Sequence, residues 1–126
     1  MNFSTSRNSL QTALQHLSKA TPTRSTIPIL SSVLFTAQDQ GLELRATDLE
    51  ITLVTQVEAN VKQGGSVAIP HRTLLEITNA LPETEILVSA NKDHRVEIKT
   101  SFGNYDIAGA APENFPNLPE IDKKKE

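Results

Sequence analysis

Cysteine is absent from all 126 residues. That one gap excludes disulfides, thiolate nucleophiles and Cys-based zinc sites together. Tryptophan is absent too, and one Tyr and four Phe bring the aromatics to only 4% of the chain. So few rings cannot build the stacking platform on which single-stranded nucleic acid is held. No apolar run reaches the ~18 residues that a bilayer span requires. The opening Met1-Asn2-Phe3-Ser4-Thr5-Ser6-Arg7 lacks the charged-then-apolar order of a secretory signal. These absences predict a cytoplasmic chain that stays off membranes, in which the sequon Asn2-Phe3-Ser4 carries no meaning.

Acid is missing from a long stretch. Met1 to Gln38 contains no Asp or Glu, while Arg7, Lys19 and Arg24 give it +3. All 15 acids and the remaining nine bases lie in 39–126, which is therefore −6, and the chain as a whole is −3. A net negative charge excludes a protein that grips nucleic acid with its whole surface, but not one with a single basic face.

What is present is ordinary folded-protein composition, 37% hydrophobic and 21% charged, at a length that fits one domain. Leu10, Ala13, Leu14 and Leu17 recur at helical spacing, with Ser6 to cap the start and Thr21-Pro22 to end it after Lys19-Ala20. The opposite face of that helix is polar or basic. Three strand-like runs follow: Ile29 to Ala37, then Leu42, Leu44 and Ala46 alternating with Glu43 and Arg45, then one run holding Ile51, Leu53, Val57, Ala59 and Val61 on one face. Gln38-Asp39-Gln40-Gly41 reads as a turn and Gly64-Gly65 as a hairpin turn.

The order then repeats. Ser66 to Ile69 is a short strand, as Asn2-Phe3-Ser4 is. A second helix runs from about Pro70 to Leu81, and strands follow at Ile86–Ala90, Arg95–Thr100 and Tyr105–Gly109. The pattern is α+β: a duplicated strand-helix-three-strand unit, about 64 residues apart, with two helices packed on antiparallel sheets from both halves. The domain covers 1–119. Within it, Ala111 to Pro119 is proline-rich, with Phe115 and Leu118 as anchors, and 120–126 is a charged linker or tail truncated before a further domain.

Catalytic chemistry is thin. There is no G-x-S-x-G elbow, no GxGxxG and no Walker loop. His16, His71 and His94 have no metal-ligand spacing and read as surface residues. Asp48 and Glu50 would share a face in an extended chain, as a two-carboxylate hydrolase requires, yet no third acid is close and Thr47-Asp48 reads as a turn. What remains is the basic face of the first helix, the loop Thr21 to Thr26, and Arg72 at the head of the second helix. Arg and Lys among Asn, Gln, Ser and Thr are the residue types that touch phosphate oxygens without reading bases. The same residues also make an ordinary solvated helix face, and a competing reading is a small α+β interaction module, unrelated to DNA, that binds partners through its edge strand.

Arg24-Ser25-Thr26-Ile27-Pro28-Ile29-Leu30, Ala46-Thr47-Asp48-Leu49-Glu50-Ile51 and Phe115-Pro116-Asn117-Leu118-Pro119 together resemble the first domain of the bacterial DNA sliding clamps, the beta subunits of DNA polymerase III. Met1-Asn2-Phe3 and Ile69-Pro70 followed by Arg72 fit the same pattern in order. The resemblance implies a clamp fold and a processivity factor rather than an enzyme, with no cofactor and no metal. Two three-domain subunits would form a homodimeric ring sliding on duplex DNA without sequence specificity. Arg24 resembles a DNA-contacting arginine of the family, Arg72 matches a basic position at the head of the second helix that would face the bore, and Arg7, Gln11 and Lys19 are added from the helix face as DNA-binding candidates. Thr73, Ile77, Tyr105 and Ile107 would lie at the ring-closing interface. The DNA polymerase III catalytic subunit and the clamp loader would bind through later domains, so no peptide-pocket residues are assigned. Alone, the domain would be a monomer or weak associate.

Overall fold

The computed structural model describes residues 1–21, 28–38 and 41–116. Strand β1 (Asn2–Ser6) runs directly into helix α1 (Arg7–Leu17), where the Ser6 hydroxyl accepts the Ser9 N–H at 3.1 Å and caps the helix. Leu10, Ala13, Leu14 and Leu17 are all buried. A 3-10 turn, Ser18–Ala20, tightens the end of α1, and the Thr21 hydroxyl donates to the Leu17 carbonyl. Strands β2 (Ser32–Gln38), β3 (Gly41–Thr47), β4 (Thr52–Val57), β5 (Asn60–Gln63) and β6 (Gly65–Pro70) follow. Helix α2 (His71–Ala80) and strands β7 (Glu85–Ala90), β8 (Arg95–Thr100) and β9 (Gly103–Ala108) complete the set.

The strands form two antiparallel sheets, ordered β5-β1-β7-β8-β9 and β4-β3-β2-β6. Each half of the repeat therefore lends its first strand to the other half's sheet: β1 pairs with β7, and β6 pairs with β2. This exchange makes one core of two weak halves, because neither three-strand meander can bury its apolar face without the other. Phe3 on β1 stacks on Phe35 of β2, centroids 6.3 Å apart, so a ring from each sheet meets at the centre.

Several strand limits differ from the sequence reading. The run Ile29 to Ala37 opens as a 3-10 turn, Pro28–Ser31, and becomes strand only at Ser32. Proline's fixed φ and missing N–H favour a turn there, and that turn buries Leu30. The third run is two strands in different sheets, with β4 the edge of one and β5 the edge of the other. Its alternation survives the break because period 2 records which side faces the core, not which strand is the neighbour. The buried Thr5 hydroxyl donates to the Glu58 carbonyl at this crossing, at 2.7 Å. Ile51, placed on the apolar face, is exposed. Gly64-Gly65 is likewise no hairpin: β5 and β6 belong to opposite sheets, and a Cβ on Gly64 would stand 2.9 Å from the Ala37 carbonyl oxygen. The last strand begins at Gly103, two residues before Tyr105. Phe115 is buried as an anchor should be, whereas Leu118 lies outside the described residues.

Candidate nucleic-acid interface

Helices α1 and α2 lie antiparallel and side by side. Near one end, Arg7 Nε donates to the Thr78 carbonyl at 2.8 Å and Gln11 Nε2 to Asn79 Oδ1 at 2.6 Å. Near the other, His71 Nε2 meets the Leu14 carbonyl at 2.7 Å. The free N–H groups at the start of α1 are met by the loop after α2, Arg7 N–H by the Thr84 carbonyl and Asn8 N–H by Glu83 Oε1. One face of each helix is left open to solvent, Thr12, Gln15 and His16 on α1 and Arg72, Thr73, Glu76 and Asn79 on α2.

The cations on this surface are not equivalent. Lys19, in the 3-10 turn, is exposed. Arg72 is nearly bare, and its Nε pairs with Glu76 one turn on at 3.2 Å. Such an exposed pair contributes only a few tenths of a kcal/mol to stability. Its charge, however, offsets Arg72 in the middle of the exposed face of α2. Arg7 is half-buried, and it serves the α2 carbonyl and Asn8 Oδ1. The Gln11 amide is engaged with Asn79. Arg24 lies outside the described residues.

Thr73 is exposed on α2 and Ile77 is half-buried beside it. Among the described residues, strand β9 is the outer strand of its sheet, as an edge-to-edge subunit contact requires. Its Tyr105 and Ile107 side chains turn inward, Ile107 to 7% exposure, while Asn104 and Asp106 are open. Any pairing at this edge would use the backbone and these polar side chains rather than Ile107.

His71 is a correction to the sequence reading. It is 6% exposed, not on the surface, and it joins the two helices. Its position was legible, since 71, 74 and 78 share one helical face. Glu76 was likewise legible from its i,i+4 spacing to Arg72.

Asp48 and Glu50 do not sit on an extended strand. Asp48 Oδ1 accepts the Glu50 and Ile51 N–H groups at 2.9 and 2.8 Å, which fastens a tight turn with Leu49 at φ 81. The Ile51 N–H, then the Glu50 N–H, hold the Asp48 carboxyl below its usual range. The ionised form thus stabilises the fold above the ordinary carboxylate pKa of about 3.9, and this contribution disappears as pH falls through the lowered native value. Asp48→Asn should be less stable than the parent at pH 7, with the gap closing towards pH 2. Acid-unfolding curves that stay a constant distance apart would contradict this role.

Among the described residues, no three His, Asp or Glu side chains gather as a metal site, and no helix is long and apolar enough to cross a membrane. A surface depression of about 760 Å³ lies beside Ser4, Thr5, Glu58, Glu83 and Glu85. Its three glutamates repel phosphate.

Residues 1–119 match the sequence profile of the family described as DNA polymerase III beta subunit, N-terminal domain. The chain is 33% identical over 119 residues to a Vibrio harveyi beta sliding clamp, covering 94% of this chain and 82% of that one. It is 28% identical to the beta sliding clamp of Vibrio cholerae, covering 94% of this chain and 32% of the relative. The crystal structure of the DNA polymerase sliding clamp from Caulobacter crescentus superposes with a TM-score of 0.89 at 29% identity, over 94% of this chain and 33% of that one. The chain thus spans about a third of the length of the Vibrio cholerae and Caulobacter relatives.

Proposed function

We propose a function from the premise that this chain belongs to the family of DNA polymerase III beta subunits and corresponds to their N-terminal domain. It serves as one segment of a sliding clamp, a processivity factor that encloses duplex DNA and works by topology rather than catalysis. The observation that carries the reading is the helix pair: one antiparallel pair, free of acid along α1, with its open face next to cations at Lys19 and Arg72. Arg24 and Gln11 complete the proposed DNA-facing set. The outer strand β9, with Thr73 and Ile77 on α2, is the proposed seat of the second subunit, and Tyr105 and Ile107 support that edge from within. Polymerase and clamp loader would be partners of the assembled ring.

Few cations mean weak, sequence-blind attachment, which is what a ring that must slide requires. Three neutralised phosphates give a slope of about −3 in log affinity against log salt. Fluorescence anisotropy with duplexes of unrelated sequence should show that slope, the same for each duplex. Lys19→Ala should reduce its magnitude by about one. A strong preference for one duplex, or binding indifferent to salt, would defeat the reading.

A further inference from the structure

Arg7 and His71 are each the first residue of their helix, and each reaches a carbonyl of the other helix. Arg7 Nε meets the Thr78 carbonyl at 2.8 Å, and His71 Nε2 meets the Leu14 carbonyl at 2.7 Å. The donors are 64 positions apart in the chain, and so are the acceptors. The apolar stripes keep the same offset, Leu10 with Leu74 and Leu17 with Leu81, all four buried. Two unlike side chains therefore perform the same reciprocal act at symmetry-related places.

We propose that Arg7 and His71 are matched positioning residues that fix how the two helices lie against each other, and that Arg7 is not a phosphate contact. The apolar stripes hold the helices together but leave them free to slide, because dispersion contacts carry little directionality. A hydrogen bond to a named carbonyl at each end fixes both axial shift and crossing angle. The local backbone leaves room for it. At the end of α1 the Ser18 N–H turns to the Gln15 carbonyl, and the Leu14 carbonyl is met from outside by His71. At the end of α2 the Leu81 N–H turns to the Thr78 carbonyl, which also takes Arg7, a cation at the negative end of that helix. The consequence for DNA rests on the reading proposed above: what faces the duplex is the geometry these two ties maintain, not the charge of Arg7.

Glutamine separates donor from charge, since its amide nitrogen stands the same number of bonds from Cα as Arg Nε and His Nε2. The chain has no cysteine, so Gln15→Cys and Ala80→Cys, both exposed, take spin labels at unique sites on the two helices. In the labelled full chain, Arg7→Met and His71→Met should each shift and broaden the inter-label distance distribution. Arg7→Gln and His71→Gln should restore the parent distribution. Unchanged distances in both Met variants, or Gln variants displaced as far as Met, would overturn the proposal. Duplex binding supplies the second readout. Arg7→Gln should keep the parent salt slope, whereas a slope smaller by about one would make Arg7 a phosphate contact and overturn the proposal as well. A parent chain without salt-dependent binding would defeat the DNA reading, and the label distances would still decide the ties.

Discussion

Phe35→Ala is expected to lower the free energy of unfolding by about 4 kcal/mol, the middle of the range for deleting a fully buried ring. Phe35 is 0% exposed and stacks on Phe3, which is 1% exposed and belongs to the other sheet. The substitution thus opens a cavity where the two sheets meet and removes the ring pair that joins them. Domains of this size hold only about 5–15 kcal/mol in total. A loss of this size leaves the variant marginal, with a melting midpoint lowered by ten degrees or more. Urea unfolding followed by circular dichroism measures it directly. A loss below about 1 kcal/mol would mean that the two sheets do not share one core.

The second large effect is expected at Gly109, for a reason no contact list of side chains reveals. After β9 the chain leaves one sheet and crosses to the other, where Ala110 exchanges two backbone hydrogen bonds with Ala68 of β6. At the crossing the Gly109 N–H also binds the His94 carbonyl. A Cβ here would lie 2.7 Å from the His94 carbonyl oxygen, 2.9 Å from Val67 Cγ2 and 3.0 Å from the Ala68 carbonyl oxygen. Two of the three obstacles are backbone atoms held by hydrogen bonds, so neither can swing aside. Gly109→Ala should therefore cost about 2–3 kcal/mol, at the upper part of the range for forced overpacking. Amide exchange should quicken first at Ala68 and Ala110. A variant as stable as the parent, with both amides still protected, would show that the crossing yields.

Much of the fold was legible from periodicity. The stripe Leu10, Ala13, Leu14, Leu17 and its repeat at Leu74, Ile77, Thr78 and Leu81 marked both helices, α2 within a residue at each end and α1 from its first residue, with the last turn to Ala20 closing as a 3-10 turn, because a one-sided apolar stripe admits few other structures. The duplicated order was legible for the same reason. The candidate site was legible in part. Arg72 and Lys19 are exposed as expected, while Arg7 and Gln11, chosen for their place on the polar face, are engaged across the helix pair. A helical wheel shows which way a side chain leaves its own helix, not which carbonyl awaits it on another. His71 was misread by type, as a polar residue: the face it shares with Leu74 and Thr78 marked it as buried, and only the neighbouring helix shows which carbonyl it meets.

By itself, then, the amino-acid order determined both helices and the strand character of most runs, the internal repeat and the one-sided distribution of acid. These follow from chemistry within a few residues or from a count. Only the tertiary structure decided that β1 and β6 change halves, that the third apolar run divides between two sheets, and that Arg7 and His71 join the helices. Those outcomes depend on hydrogen-bond partners distant in sequence. Backbone donors and acceptors are the same in every residue but proline, so the sequence carries no local mark of which strand or carbonyl will be met.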